Sequence, residues 1–209
     1  MGDDESIRVV GICGSLRPNG WTLAALKIAL AGAKERGATA ELLDLRDYNL
    51  PFCAGGDPDA IQGNAGVQRL RQKVSEASGI ILATPNYHGS LSGVLKNALD
   101  LMGFDEFEGK MIGLVGVSGG GAGAFGALAG LRSVGRAVHA WVVPEQAAVA
   151  NVDEVFDEAG NCKNPSIEQR LKAVGRQVAK FASLHNSDQA REFLKLWEAA
   201  TENPGGGDR

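Results

Sequence analysis

The clearest strand of this 209-residue sequence is the run GIILATP at residues 79–85, which leads directly into the loop NYHGS at residues 86–90. The run is almost continuously apolar, as are strands covered on both faces of a parallel sheet. Pro85 ends the strand, because proline has no N–H to donate to a neighbouring strand. Beyond the loop, Ser92 can cap a helix that runs to about Met102. This stretch therefore predicts one βα unit.

The same order of strand, loop and helix extends in both directions from this unit. Further strands are predicted from short apolar runs at residues 7–13, 40–45, 110–117 and 138–143. Helical spacing of apolar residues predicts helices at residues 22–35, 66–77 and 166–185. A further helix is predicted to follow the glycine-rich loop at residues 118–126 and to end at residue 136. Irregular connections are predicted at residues 48–64 and 145–161. The alternation predicts a doubly wound α/β fold with three α/β/α layers and a five-stranded parallel sheet of order 2-1-3-4-5.

One domain accounts for the whole pattern, since no linker or internal repeat interrupts it. We expect an N-terminal extension at residues 1–6, the folded domain at residues 7–187, and a helix end with a disordered tail at residues 188–209. In the predicted strand order, the loops after strands one, three and four meet at the carboxyl edge of the sheet, where such folds bind ligands. A ligand site is therefore expected where these loops converge.

Charge and composition argue against several classes of function. The net charge of −4 indicates neither nucleic acid nor an anionic membrane as a partner. The N-terminus MGDDESIRVVGICG is acidic where a signal peptide is basic, so we expect a cytoplasmic protein. Neither a disulfide framework nor a metal site is expected, because no CxxC pair is present and the histidines are scattered: Cys13, Cys53, Cys162, His88, His139 and His185.

The loop GSLRPNGWT at residues 14–22 has the features of a phosphate-binding loop. It joins a strand to a helix, where backbone N–H groups and the helix dipole favour an anion. Its side chains add hydroxyls, an amide and a planar cation, from Ser15, Thr22, Asn19 and Arg17. Neither a Walker lysine nor GxGxxG spacing accompanies it. The alternative is an ordinary turn with Thr22 as helix N-cap and Arg17 in solvent.

Two further loops have features that suit a flat ring. At residues 86–89, backbone groups and the Tyr87 ring offer hydrogen bonds and an apolar face. At residues 118–126, the sequence SGGGAGAFG lets the main chain approach a ligand closely, because glycine has no Cβ. The alternatives are that Tyr87 and His88 fill a gap beside the sheet and that the glycines form a flexible loop.

Together these loops resemble the NAD(P)H-dependent FMN reductase family of flavodoxin-like proteins, which includes azo-, chromate- and quinone-reducing members. The matching motifs are GSLRPNG, ATPNYHGSLSGVLKNALD and VGVSGGGAG, and the resemblance covers roughly residues 7–185. It implies FMN-phosphate binding by Ser15, Arg17, Asn19, Gly20, Trp21 and Thr22, although many relatives have Ser or Asn at the positions of Gly20 and Trp21. It implies ring contacts from Pro85, Asn86, Tyr87, His88 and Gly89, and contacts to the opposite edge from Ser118, Gly119 and Gly120.

The resemblance implies an enzyme that moves hydride from NADPH or NADH to FMN and passes electrons to a quinone, an azo compound, a metal oxyanion or free flavin. No catalytic side chain is expected, because the cofactors carry the hydride transfer. Leu91 stands where members that release reduced FMN often have Tyr, which favours FMN as a held cofactor. A homodimer or homotetramer is implied. The alternatives are a non-enzymatic, flavodoxin-like electron carrier and a nucleotide-binding regulatory module without redox chemistry.

Overall fold

Five parallel strands form one sheet. The computed structural model describes residues 7–55 and 63–198, and its strand order is β2-β1-β3-β4-β5. The strands are β1 Arg8–Cys13, β2 Thr39–Asp44, β3 Gly79–Pro85, β4 Met111–Val117 and β5 Trp141–Val149. Every pairing between neighbouring strands is parallel, which confirms the predicted doubly wound, flavodoxin-like order.

Helices cover both faces of the sheet. In chain order they are α1 Trp21–Lys34, α2 Ala65–Ser75, α3 Gly93–Asp100, α4 Phe104–Phe107, α5 Phe125–Ala137, α6 Val152–Val155, α7 Pro165–His185 and α8 Asp188–Glu198. The side chains of β3 alternate between two apolar layers. Ile81 and Ala83 face the layer under α1 and α7, and Ile80 and Leu82 face the layer under α2, α3 and α5. The predicted three-layer α/β/α architecture is therefore confirmed.

The helices α1 and α7 cross with their backbones in contact. Gly32 of α1 lies against the carbonyl of Lys172, and Gly175 of α7 lies against the carbonyl of Ala29. A Cβ built on either glycine would overlap that oxygen, so only glycine permits this separation of the helices. The crossing fixes α1, and with it the loop that precedes α1, relative to the sheet.

The fifth strand differs from the sequence prediction. Residues 138–143 are wrong as strand bounds, because β5 covers Trp141–Val149 and residues 138–140 still hydrogen-bond to the end of α5. Pro144 lies inside the strand, which is possible because β5 is an edge strand and its register with β4 is irregular at that point. Residues 145–149, which the sequence assigns to an irregular connection, therefore belong to the sheet.

The C-terminal region contains one more helix than the sequence predicts. Asp188–Glu198 forms α8, which is separated from α7 by Asn186 and Ser187 rather than being the end of that helix. The predicted extension at residues 1–6, and residues 199–209 of the predicted C-terminal segment 188–209, lie outside the described residues. Within the described ranges, no helix is long and apolar enough to cross a bilayer.

Candidate cofactor site

The end of β1 is fastened to β3 and α3 at the carboxyl edge of the sheet. The N–H of Gly14 donates to the carbonyl of Ala83 (2.8 Å), and the Ser92 hydroxyl donates to the carbonyl of Gly14 (2.6 Å). The N–H of Ser92 donates to Thr84 Oγ1 (3.0 Å). Ser92 Oγ also accepts from the N–H of Leu95, which confirms Ser92 as the N-cap of α3. These hydrogen bonds therefore hold together the backbone at the bottom of the crevice between β1 and β3.

The loop between β1 and α1 forms the candidate phosphate site. Ser15 and Thr22 are buried, at 7% and 3% exposure, whereas the Arg17 side chain is exposed. Asn19 has a φ of 53°, and the N–H of Gly20 donates to the carbonyl of Arg17 (3.2 Å), so the chain turns tightly into the helix. The N-cap is Gly20, so the alternative of Thr22 as N-cap is wrong. Among the described residues no side chain caps α1, which leaves its N-terminus suited to an anion.

The loop after β3 is a two-residue turn. Tyr87 and Ser90 exchange two backbone hydrogen bonds of 3.0 Å, so His88 and Gly89 form the corner. Both corner residues have positive φ, 52° and 80°, as a type I′ turn requires. The N–H of Asn86 donates to the last carbonyl of β4 (2.8 Å). The turn is therefore anchored to the sheet, while Tyr87 remains 55% exposed.

The glycine loop after β4 contacts this turn. Ser118 donates its N–H to the last carbonyl of β5 (2.8 Å), and its hydroxyl accepts from the N–H of Gly120 (3.2 Å). A Cβ built on Gly119 would meet no described atom within 4 Å, so the loop borders open space. At the start of α5, a Cβ on Gly126 would overlap the carbonyl oxygen of Gly89. The second and third predicted loops therefore touch through their backbones.

A fourth segment borders the phosphate loop, and sequence reasoning missed it. The indole N–H of Trp21 donates to Asp153 Oδ1 (2.9 Å), and the Trp21 ring stacks on Phe156 with centroids 5.9 Å apart. Both partners follow β5, where the sequence predicts only an irregular connection. The Trp21 side chain is occupied by these contacts, so phosphate binding by this residue would use its backbone N–H. The available signal was the length of the connection, since long loops at such an edge are often functional.

The last residues of β1 and β2 have polar side chains and lie side by side, but they do not form a reactive centre. Cys13 is 1% exposed, and burial raises the pKa of its thiol, as expected for a core cysteine. Asp44, its partner in register, accepts hydrogen bonds from Arg46, and these lower the pKa of the Asp44 carboxyl. A protonated thiol and a paired carboxylate supply structure here rather than chemistry.

The residues at this edge fit FMN. At one end, the uncapped α1 N-terminus, the buried Ser15 hydroxyl and the exposed Arg17 suit a phosphate dianion. At the other end, Asn86 Oδ1 is buried and has no partner among the described residues, so a ligand N–H would satisfy it. The open space beside Gly119 and the Tyr87 ring suit a flat aromatic system.

Replacing Ser92 with Ala is expected to lower the free energy of unfolding by about 2 kcal/mol. The change removes the N-cap of α3 and leaves the carbonyl of Gly14 without its hydroxyl donor. Urea unfolding measures the effect. Ser133→Ala is the control, because the Ser133 hydroxyl is exposed and bonds only within α5. Equal stability of the two variants would contradict the role given to Ser92.

A doubly wound sheet of order 2-1-3-4-5, with a candidate ligand site between the loops at its carboxyl edge, is the architecture of flavodoxin-like proteins. Comparison with known families narrows this class, because residues 7–154 match the model of the NADPH-dependent FMN reductases. The chain belongs to this family. It is therefore an NAD(P)H-dependent FMN oxidoreductase, which confirms the family, enzyme class and cofactors predicted from the sequence.

Individual relatives agree with this assignment. The chain is 35% identical to an FMN-dependent NADPH-azoreductase of Staphylococcus aureus over 176 residues, which cover 82% of this chain and 93% of the relative. An NADH:FMN oxidoreductase in its apo form aligns over 89% of this chain and 94% of its own, with a TM-score of 0.70 and 22% identity. FerB of Paracoccus denitrificans aligns over 86% and 98%, with a TM-score of 0.68 and 23% identity. These two structures support the fold.

Proposed function

We propose that this chain reduces planar conjugated acceptors, quinones or azo compounds, with electrons from NADPH or NADH by way of FMN. The observation that carries the proposal is a pair of exposed aromatic residues, one in the turn after β3 and one at the start of α5, where the two segments are in contact. Tyr87 is 55% exposed and Phe125 is 66% exposed, and the turn and the first turn of α5 meet where Gly126 packs on Gly89. Exposed apolar side chains at the mouth of a site favour an apolar partner for stacking.

The acceptor is further restricted by charge. The two ring-facing loops, residues 85–90 and 118–126, contain no Lys or Arg. A metal oxyanion would need cationic groups beside the ring, whereas a neutral aromatic molecule needs only a flat apolar surface. The name of the Staphylococcus aureus relative, an azoreductase, supports the same class of acceptor.

In this proposal the protein binds and orients its ligands. FMN, when bound, supplies the centre that accepts hydride from the nicotinamide and gives electrons to the acceptor. Ser15, Arg17 and the N-terminus of α1 hold the phosphate. The backbone at Asn86 and at residues 118–120 contacts the ring, and Tyr87 borders the stacking space. Holding two flat molecules face to face supplies much of the rate enhancement.

The test begins with anaerobic titration of the purified protein. We expect added FMN to bind, riboflavin to bind about tenfold more weakly because it lacks the phosphate, and NADPH to bleach the bound flavin. Bound FMN that NADPH and NADH both leave oxidised would indicate the electron-carrier alternative. Equal affinity for FMN and riboflavin would contradict the proposed phosphate site.

An acceptor series completes the test. We expect a benzoquinone and an azo dye to reoxidise the reduced protein at least tenfold faster than chromate or free FMN does at equal concentration. Faster reoxidation by chromate would contradict the argument from charge. The homodimer or homotetramer and the cytoplasmic location expected from the sequence remain predictions.

A further inference from the structure

The loops around the candidate site are joined in a closed circuit of contacts. Ser92 bonds the end of β1 to the start of α3. The backbone of Gly126 packs on Gly89 and joins the glycine loop to the ring-binding turn. The carbonyl of Ser118 accepts from the N–H of Val152 (3.2 Å), which joins the glycine loop to α6. One connection then remains, from α6 back to the phosphate loop.

That last connection is made by side chains. The indole N–H of Trp21 donates to Asp153 Oδ1 (2.9 Å), across 132 residues of sequence. Beneath it, the Trp21 ring lies nearly parallel to Phe156, with an interplanar angle of 10°. Phe156 is only 1% exposed, so the tryptophan rests on a buried and therefore ordered surface. Trp21 is the first residue of α1, directly after the tight turn that forms the phosphate loop.

We propose that Trp21 and Asp153 are positioning residues for FMN, which close this circuit and hold the phosphate loop at a set distance from the ring-binding loops. The inference rests on the flavin site described above. A rigid ligand site binds more tightly because the protein loses less conformational freedom when the ligand enters. Because the contact between Trp21 and Asp153 lies at the phosphate end of the site and not at the ring, it affects how tightly FMN is held rather than the rate of hydride transfer.

FMN release from the holoprotein tests the link. Asp153→Ala and Trp21→Phe, which keeps a ring on Phe156 but removes the indole donor, should each raise the FMN Kd about fivefold. The double variant should match the single ones, because both remove the same hydrogen bond. Asp153→Asn retains an acceptor oxygen and should restore the affinity. The Kd is read from flavin fluorescence on dilution, and the bleaching rate with NADPH is measured at saturating FMN.

Trp141→Phe is the matched control. Trp141 is an exposed tryptophan at the start of β5, so it lies at the amino ends of the parallel strands, whereas the candidate site lies at their carboxyl ends. Support requires that the Kd rises for the Trp21 and Asp153 variants, that the bleaching rate of Asp153→Ala at saturating FMN changes less than twofold, and that the Kd of the control changes less than twofold. Unchanged Kd in those variants, or additive effects in the double variant, would overturn the link while leaving the flavin site intact. A wild-type chain that binds no FMN would overturn the site itself, and the inference with it.

Discussion

Gly175→Ala is expected to lower the free energy of unfolding by about 3 kcal/mol or more and the Tm by roughly 10 °C. The added Cβ would overlap the carbonyl oxygen of Ala29 and lie 2.7 Å from the N atom of Ala33, and both are backbone atoms of α1. A backbone cannot rotate out of the way as a side chain can, so α1 and α7 would have to move apart. The higher helix propensity of Ala, about 1 kcal/mol, is too small to compensate.

Thermal and urea unfolding of the variant measure this effect. Gly93→Ala is the matched control, since Gly93 is also helical but a Cβ there would meet no described atom within 4 Å. The control is expected to keep or slightly raise the stability. A loss below about 1 kcal/mol in Gly175→Ala would show that the helices can separate at little cost and would contradict the close crossing.

Gly126→Ala is expected to raise the FMN Kd at least about thirtyfold, which corresponds to about 2 kcal/mol. Its Cβ would overlap the carbonyl oxygen of Gly89, so the first turn of α5 and the turn at residues 87–90 would have to separate. The turn has little freedom to adjust, because its two corner residues, His88 and Gly89, already hold left-handed conformations. The change would therefore displace both segments that are proposed to face the flavin ring.

Fluorescence titration with FMN measures the loss, and the rate of bleaching by NADPH at limiting FMN should fall in parallel. Gly130→Ala is the control on the same helix, because among the described atoms its Cβ would meet only the Cδ2 methyl of Leu91, at 3.2 Å, and that side chain can rotate. A Kd for Gly126→Ala within threefold of that control would contradict the backbone contact between the two loops.

The parts of the site that could be predicted from the sequence are those that depend on residues close together in the chain. The strand Gly79–Pro85 and the N-cap Ser92 agree with the prediction, because an apolar run, a proline and a capping serine act within a few residues. The bounds of β5 could not be predicted in the same way. Pro144 ordinarily ends a strand, and only its place at the edge of the sheet makes the proline compatible with β5.

By itself, the sequence determined the class of fold and the three loops that meet at the carboxyl edge. Apolar periodicity and turn residues express local conformation, and the parallel order follows from their alternation. Only the tertiary structure decided which groups meet across the chain. Trp21 finds Asp153 at a separation of 132 residues, and Gly126 finds Gly89. Such contacts depend on the path of the whole backbone. A residue pattern within a single segment does not indicate that path.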